Sequence, residues 1–306
     1  MGTLIEKSTS HRLRFRLVFT LALGLLFGCA GMILCLHQRD SSITNAQTTQ
    51  GSACASDSCT IKPGWIIGAY TFSRLKASGA SPTLINTAFS NNDTFVVGDG
   101  HIGVPTVTYQ SYQKIDEALA DGTLPGNYKA VMYDNENWSF TPAVEQQHPD
   151  EYEHLVGDLL HRHGLLYITA PAADIVRASG TPIDNNTQDT YLSRNVAGGA
   201  AQYADVIDIQ AQYLEPDLSK FTHFVTTAAA QARKANPKIK VYVGIATGPD
   251  GQSVTFDQLY GAYKTIRSIA DGYWLNLSGK STYCPNCVAP KPQLAAQLLQ
   301  TVYGLK

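Results

Sequence analysis

Residues 152–170, YEHLVGDLLHRHGLLYITA, form one complete helix-to-strand unit in the sequence. Five apolar side chains between Tyr152 and Leu160 follow the i, i+3, i+4, i+7, i+8 spacing of one buried helix face. Gly164 ends this helix, and the apolar run from Leu165 to Ala170 predicts a buried strand directly after it. Units of this kind are typical of folds with a mainly parallel sheet.

The same alternation of short apolar runs and amphipathic stretches continues from Gly64 to the C-terminus. The predicted strands are Trp65–Thr71, Thr83–Phe89, Phe95–Gly98, Ala130–Asp134, Leu165–Ala170, Val206–Gln212, Ile239–Ala246 and Gly272–Leu277. Besides the helix before Gly164, the predicted helices are Tyr112–Ala120, Leu218–Ala235, Phe256–Ala270 and Pro292–Leu305.

Eight strands over about 240 residues predict a (β/α)8 barrel, whose usual size is about 250 residues. One connection conflicts with this fold, because only Ser90–Thr94 separates the second and third predicted strands, which is too short for a crossover helix. Either one of these strands is misplaced or that region is an irregular hairpin. An open doubly wound sheet is the alternative, although no Gly-rich phosphate loop follows the first strand.

The N-terminal part of the chain has the composition of a targeting segment. Four basic residues between Lys7 and Arg16 precede an uncharged run of 20 residues, Leu17–Leu36, which is long enough to cross a bilayer. Residues 1–36 are therefore predicted to be a signal anchor, a cleaved signal peptide or, with Cys29, a lipoprotein leader. Residues 37–63 then form a polar linker and 64–306 the barrel domain. Each alternative predicts an extracytoplasmic domain, secreted or attached to the membrane through the apolar segment.

Four cysteines lie outside the apolar run: Cys54, Cys59, Cys284 and Cys287. An oxidising compartment favours two disulfides among them over a zinc site with four thiolates, and the spacing leaves their pairing open. The Cys-x-x-Cys pair also resembles a thioredoxin motif, but it does not open a helix after an early strand, as that motif does.

Functional side chains of a barrel collect at the C-terminal ends of its strands. Asp134 and Glu136 end the fourth predicted strand, on one face if the strand stays extended. Two carboxylates this close raise each other's pKa, so that one can remain protonated near neutral pH and act as a general acid. Further candidates at other strand ends are Asp174, Gln210, Gln212, Tyr213, Glu215, Asp217, Trp274 and Asn276, and, more weakly, Asp99 and His101.

An acid pair, neutral amides and an aromatic ring suit a sugar better than a phosphate or a metal. The Asp134-x-Glu136 pair, the Gln/Tyr cluster and Trp274 together resemble the barrel of glycoside hydrolase family 18, which includes chitinases and endo-β-N-acetylglucosaminidases. The resemblance implies that Glu136 protonates the glycosidic oxygen while Asp134 orients the N-acetyl group of the substrate, which attacks the anomeric carbon. It also implies Tyr213 near the acetamide and Trp274 under the sugar.

The family motif continues upstream with two aspartates, where this chain has Met132 and Lys129. The segment Asn135-Glu136 also resembles the acid/base of other retaining barrels, but the seventh predicted strand has no glutamate at its end, so Glu215 would have to be the partner. The substrate-binding candidates are Gln210, Gln212, Tyr213, Trp274, Asn276 and Asp174.

The net charge of the chain limits the classes of partner that it is expected to bind. A formal net charge of −2 gives no electrostatic footprint for nucleic acid. We expect a carbohydrate substrate, no cofactor and a monomer. The alternatives are a non-catalytic carbohydrate-binding barrel and a metal-dependent hydrolase that uses Asp134, Glu136 and Asp99.

Overall fold

The structure is a computed structural model that describes residues 62–98, 102–180, 182–249, 252–277, 279–282 and 284–305. Eight parallel strands pair in chain order and close into a barrel, so the predicted (β/α)8 fold is confirmed and the open sheet is wrong. The strands are β1 (Gly64–Gly68), β2 (Thr94–Val97), β3 (Val104–Tyr109), β4 (Ala130–Tyr133), β5 (Leu166–Thr169), β6 (Val206–Ile209), β7 (Lys240–Ala246) and β8 (Gly272–Asn276).

Helices surround the barrel between most pairs of strands. They are α1 (Ala69–Ala77), α2 (Pro82–Phe89), α3 (Tyr112–Ala120), α4 (Ala143–Gln147), α5 (Pro149–Arg162), α6 (Thr187–Ser193), α7 (Val196–Ala201), α8 (Leu218–Ala235), α9 (Phe256–Ile266) and α10 (Pro292–Tyr303). A 3₁₀ helix, Ala173–Ser179, follows β5. The five predicted helices are present, although α5 begins at Pro149, before the residues that predicted it.

The predicted second strand, Thr83–Phe89, is wrong, because this segment is α2. The Ser81 side chain accepts a hydrogen bond from the Leu84 N–H at 3.1 Å, and Pro82 occupies the first turn. Both features are helix N-terminal signals. The apolar residues of α2 are buried against the barrel. The same short apolar run is also compatible with a buried strand, which explains the wrong prediction.

The sequence pattern does not predict β3. The predicted number of strands is nevertheless correct, because Thr83–Phe89 was counted as a strand in its place. Residues 98–103 connect β2 to β3, and the described part of this connection contains no helix. The two strands are nevertheless parallel, with Phe95 opposite Val104. Both α1 and α2 precede β2, so the conflict in the sequence arose from placing a strand where a second helix lies.

Two apolar layers hold the barrel together. One fills its interior and includes Ile66, Met132, Ile168 and Val206. The other lies between the strands and the helices and includes residues that alternate with these, such as Ile207 on β6. The period-2 alternation of each strand therefore decides which side chains enter the barrel interior.

The N-terminal end of the barrel is closed by a tyrosine ring. Tyr242 on β7 is fully buried, and its hydroxyl donates to the backbone carbonyl of Asp93. Gly64 and Gly272 face this ring, and a Cβ atom at either position would overlap with it. These two glycines are needed for space, because β1 and β8 must approach the tyrosine closely.

The predicted leader and the linker up to residue 61 lie outside the described residues. Within the described part, no helix is long and apolar enough to span a membrane. The structure joins Cys284 and Cys287 in a disulfide, while Cys54 and Cys59 lie outside the described residues. Export, membrane attachment, the two-disulfide framework and the monomeric state remain predictions.

Candidate active site

The C-terminal end of β4 carries the two central acids. Backbone pairing continues past the strand, since the Asp134 N–H donates to the Tyr109 carbonyl at 2.9 Å. The Asp134 side chain is 8% exposed and hydrogen-bonds to Gln210 of the barrel interior. Asn135 is fully buried, and its side-chain atoms have no partner among the described residues. Glu136 follows, half-buried at the mouth of the barrel.

An amide chain connects β6 to the Asp134 carboxyl group. Gln210 donates through Nε2 to Asp134 Oδ1 at 3.1 Å and to the Ala170 carbonyl at 2.8 Å. Gln212 donates through Nε2 to Gln210 Oε1 at 3.0 Å. Because both N–H groups of Gln210 are used, its amide orientation is determined and it points its donors at the acid. The structure thus brings together three of the predicted site residues.

Both acids at the mouth of the barrel have pKa values above their ordinary ones. Burial, the charge of Asp208 and that of Asp174 raise the pKa of Asp134 to about 7. Burial and the charges of Asp134 and Asp174 raise the pKa of Glu136 to about 9. Each of the two carboxyl groups contributes to the shifted pKa of the other. The pair therefore titrates as a unit and holds a proton in the neutral range.

The loop after β4 is fixed by the segment after β5. The backbone N–H of Asn137 donates to Asp174 Oδ1 at 3.1 Å, which places this predicted site residue beside the acid pair. The Asn137 side chain donates to Gln146 Oε1 at 2.7 Å, and Gln146 donates to the Trp138 carbonyl at 2.6 Å. Trp138 packs edge-on against Phe140, so it is a packing residue of this loop.

Glu215 has a structural role. It is fully buried, and its carboxylate accepts hydrogen bonds from the backbone N–H of Tyr213 at 2.9 Å and from that of Ala246 at 2.7 Å. These bonds join the loop after β6 to the end of β7. Both of its carboxylate oxygens therefore accept hydrogen bonds from backbone donors.

The bonds of Glu215 also hold an unusual backbone conformation. Tyr213 has a φ of 112°, a region that residues with a side chain rarely adopt, and its side chain is 44% exposed. Strain of this kind persists only where the surroundings impose it, and it occurs often at functional sites. The ring of Tyr213 is thereby presented to solvent at the mouth of the barrel.

Trp274 and Asn276 lie on β8, partly exposed. Trp274 packs against the interior cluster and lies opposite Gly244 in register. A Cβ at Gly244 would overlap with Gln212 Oε1, so Gly244 makes room for the amide chain next to the tryptophan. Asn276 is the last residue of β8, and among the described residues no side-chain hydrogen bond joins it to the acids. Asp217 caps α8 by accepting from the Lys220 N–H at 3.1 Å, away from the acid pair.

One buried acid near this site was missed in the sequence. Asp208 lies in the middle of β6, is 0% exposed and raises the pKa of Asp134. Its signal was present, because the run Val206-Ile207-Asp208-Ile209 places a charged residue inside an otherwise apolar strand. Buried charges without a partner are rare, so an aspartate within an apolar strand is a candidate site residue.

A metal-dependent reaction requires a converging set of ligands. Within the described part of the chain, no group of three or more His, Cys, Asp or Glu side chains is arranged to hold a metal ion. The proposed third ligand, Asp99, and the weaker candidate His101 both lie outside the described residues.

The fold and the acids define a (β/α)8 barrel with two carboxyl groups of raised pKa at its mouth, the end at which barrel enzymes bind their substrates. No family model matches the sequence, and no curated protein matches it. Solved structures share the barrel at low identity. The chitinase of Chromobacterium violaceum is 11% identical, with 80% of this chain and 100% of that chain covered and a TM-score of 0.43.

Two further structures show how varied these similar barrels are. Triosephosphate isomerase of Bartonella henselae is 12% identical, covering 80% of this chain and 100% of that chain with a TM-score of 0.41. A β-1,3-glucanosyltransferase mutant of Rhizomucor miehei is 12% identical, with a TM-score of 0.33. That match covers 60% of this chain and 65% of that chain. These similarities concern the fold alone, since the activities differ.

Proposed function

We propose that this protein is a glycoside hydrolase whose general acid is Glu136 and whose substrate is an N-acetylated glycan. The observation that carries the proposal is the placement of Asp134 and Glu136 at the barrel mouth beside the amide of Gln210, with both pKa values raised. A glycosidic oxygen is a weak base that leaves only when it is protonated, and an acid whose pKa lies above the working pH supplies that proton.

Glu136 is the better candidate for the acid within this pair. Glu136 is the more exposed of the two, while the Asp134 carboxyl group accepts a hydrogen bond from Gln210 in the barrel interior. In the proposed reaction Glu136 donates its proton to the glycosidic oxygen as the bond to the anomeric carbon breaks. Asp134, ionised at that moment, orients the acetamide N–H of the substrate, whose carbonyl oxygen attacks the same carbon. Water then opens the cyclic intermediate and returns a proton to Glu136.

The surrounding side chains suit a sugar. Trp274 offers an aromatic ring beside the amide chain, and sugars present apolar faces that stack on such rings. The exposed ring of Tyr213 offers a second surface at the mouth. Among the described residues, no ion pair involves the acids of the mouth, and a group of acids suits an uncharged sugar better than a phosphate.

Location forms part of the proposal. The basic residues and the apolar run within residues 1–36 support export, and a glycan outside the cytoplasm is then the available substrate. The disulfide between Cys284 and Cys287 is compatible with an oxidising compartment. The pairing of Cys54 with Cys59 belongs to the same proposal.

The decisive experiment compares the wild-type protein with Glu136→Gln on oligosaccharides that contain N-acetylglucosamine. Loss of the general acid is expected to reduce kcat by about 10³-fold while binding, measured by calorimetry, stays within a few fold. Glu153→Gln is the matched control, because Glu153 is also buried with a pKa raised by burial, but it lies on α5 and accepts from Tyr167 and Thr169. It is expected to leave kcat unchanged.

Two outcomes would replace this proposal. Binding of these glycans without cleavage by the wild type would identify a carbohydrate-binding barrel, in which the acids only accept hydrogen bonds from hydroxyl groups. Activity that chelators abolish and added divalent ions restore would identify a metal-dependent hydrolase.

A further inference from the structure

Glu215 is a buried acid in the turn after β6, and its two oxygens bond to two different parts of the backbone. Oε2 accepts a hydrogen bond from the Tyr213 N–H at 2.9 Å, and Oε1 accepts one from the Ala246 N–H at 2.7 Å. No ion pair among the described residues includes Glu215. Burying a glutamate without a cation is costly, so these two bonds must offset that cost.

The bond to Ala246 replaces a missing part of the sheet. The pairing of β6 with β7 ends at Ile209 and Val243, whereas β7 continues to Ala246. The N–H of a residue buried at a strand end needs an acceptor. Glu215 Oε1 takes the place of the backbone carbonyl that β6 does not provide at this level. The carboxylate thereby attaches the turn to the end of β7.

The bond to Tyr213 holds a strained residue. The φ of Tyr213 is 112°, a conformation that glycine adopts readily and a residue with a side chain does not. The chain has a tyrosine there nonetheless, and its side chain is 44% exposed. The preceding side chain, Gln212, is buried and donates to Gln210 in the barrel interior. The turn therefore presents one side chain to the amide chain and the next to solvent at the mouth.

We propose that Glu215 is a positioning residue of the candidate active site, which acts through Tyr213 and holds its ring as a rigid stacking surface for a sugar unit of the substrate. This inference rests on the proposed function where it concerns the sugar, but the rigidity of the turn can be measured without any substrate. A ring that is fixed before binding loses less conformational entropy when a sugar stacks on it. Such a contact also explains why a tyrosine occupies a position where stability alone would favour glycine.

The direct test measures hydrogen exchange of the Tyr213 and Ala246 amides by NMR. Glu215→Gln keeps the shape of the side chain but replaces one acceptor oxygen with an NH2 group, which cannot accept from a backbone N–H. We expect at least one of the two amides to exchange about 10-fold faster in this variant. Glu153→Gln, which changes a buried acid on α5, is the matched control and is expected to leave both rates unchanged. Unchanged rates in Glu215→Gln overturn the inference.

Tyr213→Gly tests whether the strained tyrosine serves binding. Because glycine adopts this φ without strain, the midpoint of urea unfolding is expected to equal or exceed that of the wild type. The variant also lacks the ring, so KM for N-acetylglucosamine oligosaccharides is expected to rise about 10-fold, with kcat within about two-fold. Tyr213→Phe, which keeps the ring, is expected to raise KM less. A lower midpoint or an unchanged KM in Tyr213→Gly overturns the inference.

A double variant separates positioning from a structural defect. Glu215→Gln alone is expected to raise KM about 5-fold and to leave kcat within about two-fold. In the Tyr213→Gly background the same substitution should raise KM no further, because the ring through which Glu215 acts is absent. A structural defect would lower kcat in both backgrounds, which would overturn the inference. If Glu215→Gln alone does not fold, recovery of folding in the glycine background supports the inference, and no recovery overturns it.

The outcomes distinguish this inference from the proposed function. Cleavage by the wild type together with an unchanged KM in Tyr213→Gly means that the inference fails and the proposed function stands. If the wild type binds these oligosaccharides without cleaving them, the proposed reaction fails. The dissociation constant from calorimetry then replaces KM, with the same pattern expected. If the wild type neither cleaves nor binds them, the sugar contact fails as well, and the exchange of the two amides still decides whether Glu215 holds the turn.

Discussion

At the N-terminal end of the barrel, acidic side chains that precede the strands lie beside cationic ones. Asp93 pairs with Lys240, and Asp271 pairs with Arg233 at 3.0 Å. At the opposite end, Asp134 and Glu136 lie beside other acids, and no ion pair among the described residues includes them. The same fold therefore pairs acids with cations at one end and places unpaired acids next to each other at the other.

This difference indicates which end of the barrel is more costly to fold. Pairing an acid with a lysine is readily achieved at a strand end, as the N-terminal end shows. Leaving several acids unpaired at the mouth raises their pKa values and costs folding free energy. Residues that violate local rules in this way are expected at functional sites. Three predictions test the comparison, beginning with the largest effect.

The first prediction concerns the pH dependence of stability. The folded pKa values of Asp134 and Glu136, about 7 and about 9, lie above the ordinary values of 3.8 and 4.5. The folded state thus holds more protons than the unfolded state between these limits, and stability falls as pH rises through that range. We expect the free energy of unfolding, from urea titrations, to decrease by several kcal/mol from pH 4.5 to pH 9, since each pKa unit between the unfolded and folded values contributes about 1.4 kcal/mol.

The control for this prediction is the double variant Asp134→Asn, Glu136→Gln. Since it removes the two acids of the mouth, its stability should fall less with rising pH than that of the wild type, and the decrease that remains comes from other buried acids with raised pKa values, such as Glu153. If the double variant shows the same decrease, the cost arises elsewhere in the molecule and the mouth is not its source.

Part of this contrast could be predicted from the sequence. Asp134 and Glu136 end an apolar run, so their place at the mouth followed from the barrel rule. Asp208 could have been found as an acid within an apolar strand. The role of Glu215 could not, because it depends on the Ala246 N–H, 31 residues away in the chain. A contact of that kind exists only once the barrel closes.

The errors in the fold also have local reasons. Thr83–Phe89 is rich in apolar and β-branched residues and fits a strand or a buried helix, and the decisive signal was the Ser81-Pro82 start of a helix. The missed strand β3 contains Pro105 and three polar or aromatic residues that weaken its apolar pattern. Short parallel strands with few apolar residues are therefore the hardest elements to predict here.

The second prediction compares a glycine at each end. Gly272→Ala places a methyl group against the ring of Tyr242, which is fully buried and has no room to move. We expect a loss of about 2 kcal/mol in stability, from chemical denaturation, with unchanged kcat for the folded protein. Gly244→Ala places its methyl group against Gln212 Oε1, the end of a flexible side chain.

For Gly244→Ala the expected pattern is reversed. Gln212 turns away and its hydrogen bond to Gln210 is lost, so stability should fall by less than about 1 kcal/mol while kcat/KM falls about 5-fold. Equal losses of stability in the two variants, or an unchanged kcat/KM for Gly244→Ala, would show that the amide chain does not support the site.

The third and smallest effect is expected for Lys240→Met. The side chains of Lys240 and Asp93 are 50% and 54% exposed, and ion pairs this exposed contribute little because water screens them. A double-mutant cycle with Asp93→Asn should give a coupling of about 0.5 kcal/mol that weakens with added salt. A coupling above about 2 kcal/mol would mean that the N-terminal end is also built around strong charge interactions. The two ends would then differ in whether their charge interactions are attractive or repulsive, and not in how strong they are. The unpaired acids of the mouth would in that case destabilise the fold by a larger amount.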